Sequence, residues 1–593
     1  MQQSILEASL IWLSYGVAVL VALAASSITV YTWQTPRDRS LVVSFIAVIS
    51  IAALLATVLL LPIDIAIISS TTDHALGSKK KWATPEKMAE ITGALQLLYY
   101  IMYSLDAALC LLIIPFGYFW YEEYDEVEIE EGRSLSSRVF AALKSTLGFI
   151  MLVGVLLVLG YFLPAASFSG IQGTAAPTTN SPEKALTFCL GVLVTLGTLL
   201  YITYTGVGLA SLPISFIRTS PSLSTPTFAS VNSRALTRNR ERQRRLELRN
   251  DARFSHKDRR ELERLVREER TLVRRQRLAE EAQGLNRNWL QRVWLNICVV
   301  LKPLKLVCGL LMFIVAILVW ASMLITSIDK VIHASCKGGC DYRLRELHVF
   351  QPMNALFVWA AQTFPIDYIL MTLLTLFLFS ASISGIASVG IRFLWIHIFH
   401  VRRGRTVPQA LLISTVMLAM MILAINYSLV TMIVPQYAIY GTQTVCTSSG
   451  FNPLGCLGQP EMVVPCSDIL KVSGRAAHVC TPSVMSAFIH KLTSTWPLFG
   501  LVDFWAQFAF LAVFLFALII VSARSPKLNL SEIDEDAEND EEERLLARSA
   551  PAETYGGTWR DISGRIRSKG SWTASSTAGS RASQSSAGYS TTH

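Results

Sequence analysis

Residues 41–68 read Leu41-Val-Val-Ser-Phe-Ile-Ala-Val-Ile-Ser-Ile-Ala-Ala-Leu-Leu-Ala-Thr-Val-Leu-Leu-Leu-Pro-Ile-Asp-Ile-Ala-Ile-Ile68. This run holds one ionisable side chain, Asp64, and it decides the fold class. A helix crosses the hydrocarbon core with roughly 20 mainly apolar residues. The core offers no water to backbone amides, so a continuous apolar run of this length satisfies them internally as a helix. Eight further runs of the same kind lie near 10–33, 92–120, 146–164, 185–212, 305–327, 366–391, 408–434 and 497–522. The expected architecture is therefore all-α, a polytopic membrane protein with about nine transmembrane helices. Residues 350–362 are apolar but too short to span, and read as an interfacial or re-entrant element.

Composition agrees. The 593 residues are 52% hydrophobic and 16% charged, with a mean hydropathy of +0.43, where a soluble chain carries about 25% charged residues. The net charge of +9 is concentrated between Arg218 and Lys305. Beside so many apolar runs, that block reads as a cytosolic face or a contact for anionic lipid, and nucleic acid is not expected as a partner. The first apolar run is longer than a signal-peptide core and lacks a basic leader, so no cleavable signal is expected.

Orientation follows from Lys and Arg. With the N-terminus lumenal and the C-terminus cytosolic, the cytosolic segments hold 40 of these residues and the opposite side 12. Long loops translocate largely regardless of charge, and without the 213–305 loop the tally is still 18 against 12. Lys79, Lys80 and Lys81 fall on the minority side. Cysteine placement is an independent check. Cys336, Cys340, Cys446, Cys456, Cys466 and Cys480 all fall in two lumenal loops, where an oxidising compartment allows disulfides. The other four, Cys110, Cys189, Cys298 and Cys308, lie in or beside spans.

Four blocks follow: an N-terminal membrane block of about five spans (1–217), a basic cytosolic helical hairpin (218–304), a C-terminal membrane block of about four spans (305–522) and a disordered cytosolic tail (523–593). Residues 234–281 carry sixteen Arg and one Lys against ten acidic residues. Two helices are expected there, near 234–254 and 257–283. The second bears an apolar stripe of Leu262, Leu265, Val266, Leu272 and Val273. The tail is too polar to bury a core. Within it, Glu541-Glu-Glu-Arg-Leu-Leu546 has the spacing of an acidic dileucine sorting signal, with Glu541, Leu545 and Leu546 as the residues a clathrin adaptor would read.

Ionisable groups inside spans are costly and mark candidate sites. Asp106 lies midway along the third span. Asp64 and Asp367 each follow a Pro-Ile pair near the lumenal end of a span. Such an aspartate can bind a cation, pair with a basic residue or cap the continuing helix. Enzymatic patterns are missing from the sequence: it holds no G-x-x-x-x-G-K-[ST] and no His-Glu-x-x-His. No catalytic residue, catalytic cofactor or metal set is assigned, and the chain is not expected to be an enzyme. His74, His333, His348, His478 and His490 are histidines on the lumenal side.

Several stretches resemble the limb-region-like membrane proteins, in the branch for lysosomal cobalamin export. They include Leu61-Pro-Ile-Asp-Ile65, Pro115-Phe-Gly-Tyr-Phe-Trp-Tyr-Glu-Glu123, Thr203-Tyr-Thr-Gly-Val-Gly-Leu-Ala-Ser-Leu-Pro213, Phe364-Pro-Ile-Asp-Tyr-Ile-Leu370 and Pro435-Gln-Tyr-Ala-Ile-Tyr-Gly-Thr-Gln443. The resemblance covers roughly residues 5–525 in order. It implies nine spans, a lumenal N-terminus, the lysosomal or vacuolar membrane, and a part in moving cobalamin to the cytosol as transported ligand. It also implies either a direct pathway or an escort for an ABC transporter, and it transfers no ligand-binding residue. A receptor-like or endocytic trafficking protein is the alternative.

Overall fold

A computed structural model describes most of residues 2–523, apart from 36–39, 74–75, 124–134, 164–180, 219–225, 250–255, 284–301, 334–348, 362–364, 394–395, 400, 402–403, 405, 447–455, 457–459 and 467–478. Its helices are α1 (Gln2–Trp33), α2 (Leu41–Ser70), α3 (Pro85–Glu122), α4 (Leu135–Phe162), α5 (Lys184–Ile217), α6 (Pro226–Arg249), α7 (His256–Gln283), α8 (Lys302–His333), α9 (Pro352–Ala360), α10 (Ile366–Val389), α11 (Pro408–Ile433), α12 (Pro435–Tyr440), α13 (Val484–Thr495) and α14 (Pro497–Ala523). Among the described residues, nine of these are long and apolar enough to cross a membrane: α1 to α5, α8, α10, α11 and α14. They match the nine expected spans. The main shift is in α4, which begins at Leu135 rather than near 146 because Leu135-Ser-Ser-Arg-Val-Phe-Ala-Ala-Leu-Lys144 extends the apolar run as helix.

The chain forms two compact units, one from residues 1–220 and 288–527, the other containing 221–287. In the first, α2 and α11 are the most buried spans. Lipid tails are as apolar as leucine, so packing and small residues rather than hydrophobicity join the spans. The close approach of α5 to α10 shows this. A Cβ on Gly208 would lie 1.7 Å from the Ala381 carbonyl oxygen, and one on Gly385 would lie 1.8 Å from that of Tyr204. Aromatic packing fills wider gaps, as where Tyr201 stacks on Phe510 with centroids 4.6 Å apart.

The loops of this unit pair according to a nine-span alternation. On one side, Thr35 and Thr406 donate their backbone N–H groups to the carbonyls of Thr406 and Trp33, tying the α1–α2 turn to the loop before α11. Arg218, after α5, donates to the carbonyls of Val521 and Ser522 at the end of α14. On the other side, the ribbon of β1 (Thr72–Asp73) and β2 (Ser78–Lys79) follows α2. It meets the ribbon of β5 (Thr444–Cys446) and β6 (Val463–Pro465), which follows α11. Cys446 donates its backbone N–H to the Gly77 carbonyl at 3.0 Å, and Cys456 donates to that of Leu76 at 3.1 Å. Each of these ties joins loops that an alternating count puts on the same face. A third ribbon, β3 (Ile391–Phe393) with β4 (Ile396–Phe399), follows α10.

Residues 350–362 form α9, nine residues long and too short to span, with Met353, Asn354, Phe357 and Ala360 buried. The second unit holds the antiparallel pair α6 and α7, closed by buried Leu236, Leu265 and Leu272. Gln243 bridges the Leu265 carbonyl and the Glu269 carboxylate, and Arg240 meets Glu269 at 2.7 Å. In the expected apolar stripe, Val266 is exposed while Leu265 and Leu272 form the seam.

Candidate functional site

Pro62 lacks a backbone donor and so loosens the turn of α2 that carries Asp64. The Asp64 carboxylate is fully buried. Oδ1 accepts the backbone N–H of Val484 at 3.3 Å and Oδ2 that of Met485 at 3.0 Å. The Tyr99 hydroxyl also reaches Oδ2, at 3.3 Å. Asp64 therefore caps the N-terminus of a different helix, α13, together with Ser483, whose Oγ accepts the Ser486 N–H. A carboxylate is favoured there because the first amides of a helix are unpaired and its dipole is positive at that end. Of the roles open to such an aspartate, capping is the one seen, and the helix capped is a different one from its own. The helix it caps, α13, falls within residues that the sequence reading treats as lumenal loop.

Tyr99 begins a polar seam along α3. Its ring stacks on Tyr103 with centroids 5.8 Å apart. The Tyr103 hydroxyl donates to the Met485 sulfur at 3.2 Å and accepts from Asn426 Nδ2 at 3.1 Å. Asp106, three residues further on, accepts the Thr57 hydroxyl at 2.7 Å through Oδ2, while Oδ1 has no hydrogen-bond partner among the described residues. With Tyr103 and Cys110 it lines a cavity of about 20 Å³, enough for one water molecule. Asp64 and Asp106 thus share one seam. Asp367 has different partners: its Oδ2 accepts the Tyr437 hydroxyl at 2.9 Å, and Tyr437 stacks on Phe357.

Beyond this seam, the Tyr201 hydroxyl donates to Ser428 Oγ at 3.1 Å, and Ser428 lies 3.4 Å from Gln507 Oε1. Widened π-helical turns sit beside these residues, at Leu109–Ile113 in α3, Tyr201–Thr205 in α5 and Leu429–Ile433 in α11. Such turns recur at functional sites. The rule that selects Asp64, Asp106 and Asp367 also applies to Asp503 in α14, and Asp329 joins it because α8 continues past the expected end at 327 to His333. Both are fully buried, and Asp329 holds His333 Nδ1 at 2.7 Å.

A wider cavity, about 290 Å³, lies between α3 and α13, lined in part by Tyr99, Tyr100, Tyr103, Phe488, Thr481 and Lys491. At its side of the bundle, Lys79 donates to Thr71 Oγ1 at 2.8 Å and Thr481 Oγ1 at 3.0 Å. Burial pushes its ammonium down to about 8. Of the six expected disulfide cysteines, four pair as Cys446–Cys456 and Cys466–Cys480. Cys336 and Cys340 lie outside the described residues, as do the sorting residues Glu541, Leu545 and Leu546 and the histidines His74, His348 and His478.

The sequence matches the family described as LMBR1-like membrane protein over residues 11–293. A protein of Podospora anserina named probable lysosomal cobalamin transporter is 52% identical, over 95% of this chain and 96% of its own. Proteins of the same name from Pyricularia oryzae and Sclerotinia sclerotiorum are 56% and 51% identical. They cover 94% and 95% of this chain, and 97% and 96% of their own. No solved structure matches the chain. The family match and identity of 51–56% over at least 94% of the chain with these proteins lead to one assignment: the chain belongs to the LMBR1-like membrane protein family.

Proposed function

We propose that this protein moves cobalamin from the lysosome or vacuole to the cytosol, either as the pathway itself or as the escort of an ABC transporter. The observation that carries the reading is identity of 52% over 95% of the chain with a protein named probable lysosomal cobalamin transporter. Identity over that length reflects the membrane body at large rather than one shared motif.

The physical features are consistent with this role. The sequence has no phosphate-binding loop, so ATP cannot drive flux through this chain by that device; a passive route or an ATP-driven partner supplies the direction. The protein acts without catalysis in this reading, and cobalamin is its cargo. The Lys/Arg bias and the two disulfides support a lumenal N-terminus and a cytosolic C-terminus. Glu541, Leu545 and Leu546 then lie where a clathrin adaptor reaches them, which supports delivery to the lysosomal or vacuolar membrane.

Uptake of labelled cyanocobalamin into proteoliposomes, with and without an ABC partner, tests the reading. Flux through the purified protein alone establishes a pathway and defeats a pure escort. Flux only with the partner establishes the escort. No flux in either case, together with unchanged lysosomal cobalamin in a deletion strain, overturns the proposal.

A further inference from the structure

Written as a carboxylate, Asp106 leaves its contact with Thr57 one hydrogen short. Thr57 Oγ1 lies 2.7 Å from Asp106 Oδ2 and 3.0 Å from the carbonyl oxygen of Ala53. A carboxylate and a carbonyl only accept, and a hydroxyl has a single hydrogen to donate. With a proton on Oδ2 the count closes: the carboxyl donates to Thr57, and Thr57 donates to Ala53. Thr57 is fully buried and Asp106 is 7% exposed, and an unmet polar contact at such a place is costly. Asp64 is different. It has three donors, from Val484, Met485 and Tyr99, and needs no proton to complete them.

No basic side chain answers the carboxyl group instead. Among the described residues no lysine, arginine or histidine is paired with Asp106. The titratable groups that face it are Tyr15 on α1 and Tyr103 and Cys110 on α3. Tyr15 donates its hydroxyl to the Ala56 carbonyl at 3.2 Å and Tyr103 donates to the Met485 sulfur, so neither hydrogen is spent on Asp106. On α2 the nearest charge is Asp64, engaged by its own donors, and α5 and α11 present only apolar side chains to the cavity of about 20 Å³ beside Asp106. Apart from Tyr103 and Asp106, no side chain lining that cavity carries an oxygen. A sodium ion needs a shell of oxygens to replace its hydration, and this wall lacks one. A proton needs a single carrier, and the cavity holds one water molecule. Oδ1, without a partner among the described residues, is the oxygen left to meet it.

Tyr103 lines this small cavity and also the cavity of about 290 Å³ between α3 and α13, and it is the one residue the two share. Thr481, next to Cys480, puts the wider cavity on the face that bears the Cys466–Cys480 disulfide. We propose that Asp106 is a proton-binding site that exchanges with that face past Tyr103. On uptake, a hydronium ion in the small cavity gives one proton to the carboxyl group and is left as water. A half-turn about χ2, which is roughly two-fold for aspartate, carries the new O–H to Thr57. Release runs the other way: the proton returns to the water, and Thr57 turns its hydrogen from the Ala53 carbonyl to Oδ2. In the orientation proposed above the proton comes from the lumen, and the site stands whichever cargo the protein moves.

Infrared difference spectra of the full-length protein in nanodiscs, stepped between acidic and alkaline buffer, test this. The carbonyl stretch of a protonated carboxyl group is expected in acid and lost in alkali, and this band is expected to be missing from Asp106→Asn. In heavy water it is expected to move down, because an exchanging site takes up deuterium. Thr57→Val removes the acceptor of the carboxyl proton at similar volume, so the band is expected to move up; this variant decides the matter if Asp106→Asn does not fold. Exchange of choline chloride for sodium chloride at constant pH is expected to leave the band unchanged. Spectra of Asp106→Asn identical to the parent's, or no band moved by Thr57→Val, overturn the proposal. So does a band that persists in alkali or ignores heavy water, either of which marks a proton that does not exchange, and so does a band that sodium removes, which marks a site for a metal cation.

Discussion

Met485 donates its backbone N–H to the carboxylate of Asp64 at 3.0 Å, across 421 residues of sequence. A side chain inside one span thereby sets the start of a helix that lies between two other spans. Asp64→Ala leaves the amides of Val484 and Met485 and the Tyr99 hydroxyl without this acceptor. Loss of a cap and of buried acceptors is expected to cost about 2–4 kcal/mol. Asp64→Asn keeps one acceptor oxygen and is expected to lose less than half of that. Thermal unfolding in nanodiscs measures the difference, and a melting temperature unchanged in Asp64→Ala would refute the cap.

The contacts of α5 make a sharper prediction. A methyl group on Gly208 or Gly385 meets a backbone carbonyl within 2 Å, and a carbonyl in a packed helix cannot swing aside as a side chain can. Overpacking typically costs 1–3 kcal/mol and sometimes more, so Gly385→Val is expected to abolish folded protein. Gly16 and Gly93 have nothing within 4 Å of an added Cβ. Alanine there is expected to be neutral or stabilising by about 0.5–1 kcal/mol. Size-exclusion recovery of Gly385→Val, Gly16→Ala and Gly93→Ala separates the two classes.

Disulfide mapping tests the loop between α12 and α13. Non-reducing peptide mass spectrometry is expected to recover Cys446–Cys456 and Cys466–Cys480, which enclose sequence separations of 10 and 14. Cys466 and Cys480 are buried against Val445, so Cys466→Ser costs both the cross-link and its packing, together about 2–5 kcal/mol. Recovery of Cys446–Cys466 or Cys456–Cys480 peptides in the native protein would show a different loop.

Lys79 predicts a pH dependence of stability. Burial holds its folded-state value at about 8, below the ordinary 10.5. Between those values the unfolded chain binds the proton and the folded chain does not, so stability rises with pH across that window. Below about 8 the ammonium is charged in both states and the full desolvation cost is present. Lys79→Gln keeps a donor toward Thr71 and Thr481 without the charge. Its melting temperature is expected to be flat from pH 8 to 10.5 where the parent's climbs; parallel curves would rule out this origin.

The spans were legible because each is a local property: about 20 apolar residues in lipid can only be helix. The two surface helices were legible for the same reason, from residue spacing alone. The partner of Asp64 was not. Pro62 and Asp64 reveal a loosened, costly position, but the amides they serve lie beyond Cys480, and no local pattern links the two. Helix α13 went unread because twelve mixed residues resemble loop until the cap from α2 is known, although Ser483 at its N-cap was a usable sign. The cysteine pairing was open in principle, since the six candidate cysteines allow fifteen connectivities. Asp503 was readable by the same rule as Asp106, whereas Asp329 lies beyond the expected end of its run at 327 and joins the span only because the helix continues to His333.

The two sets of loop ties have a mechanical meaning. The α1–α2 hairpin is sewn to α11 at both ends, through Trp33 and Thr406 on one face and through Gly77 and Cys446 on the other. Ties at both rims resist rocking of this pair against α11, so an opening that admits cargo from one face and releases it to the other is expected to draw on the helices around it. Among these are α3 with its π turn, and α4 and α14, whose apolar windows are mostly unburied within the bundle.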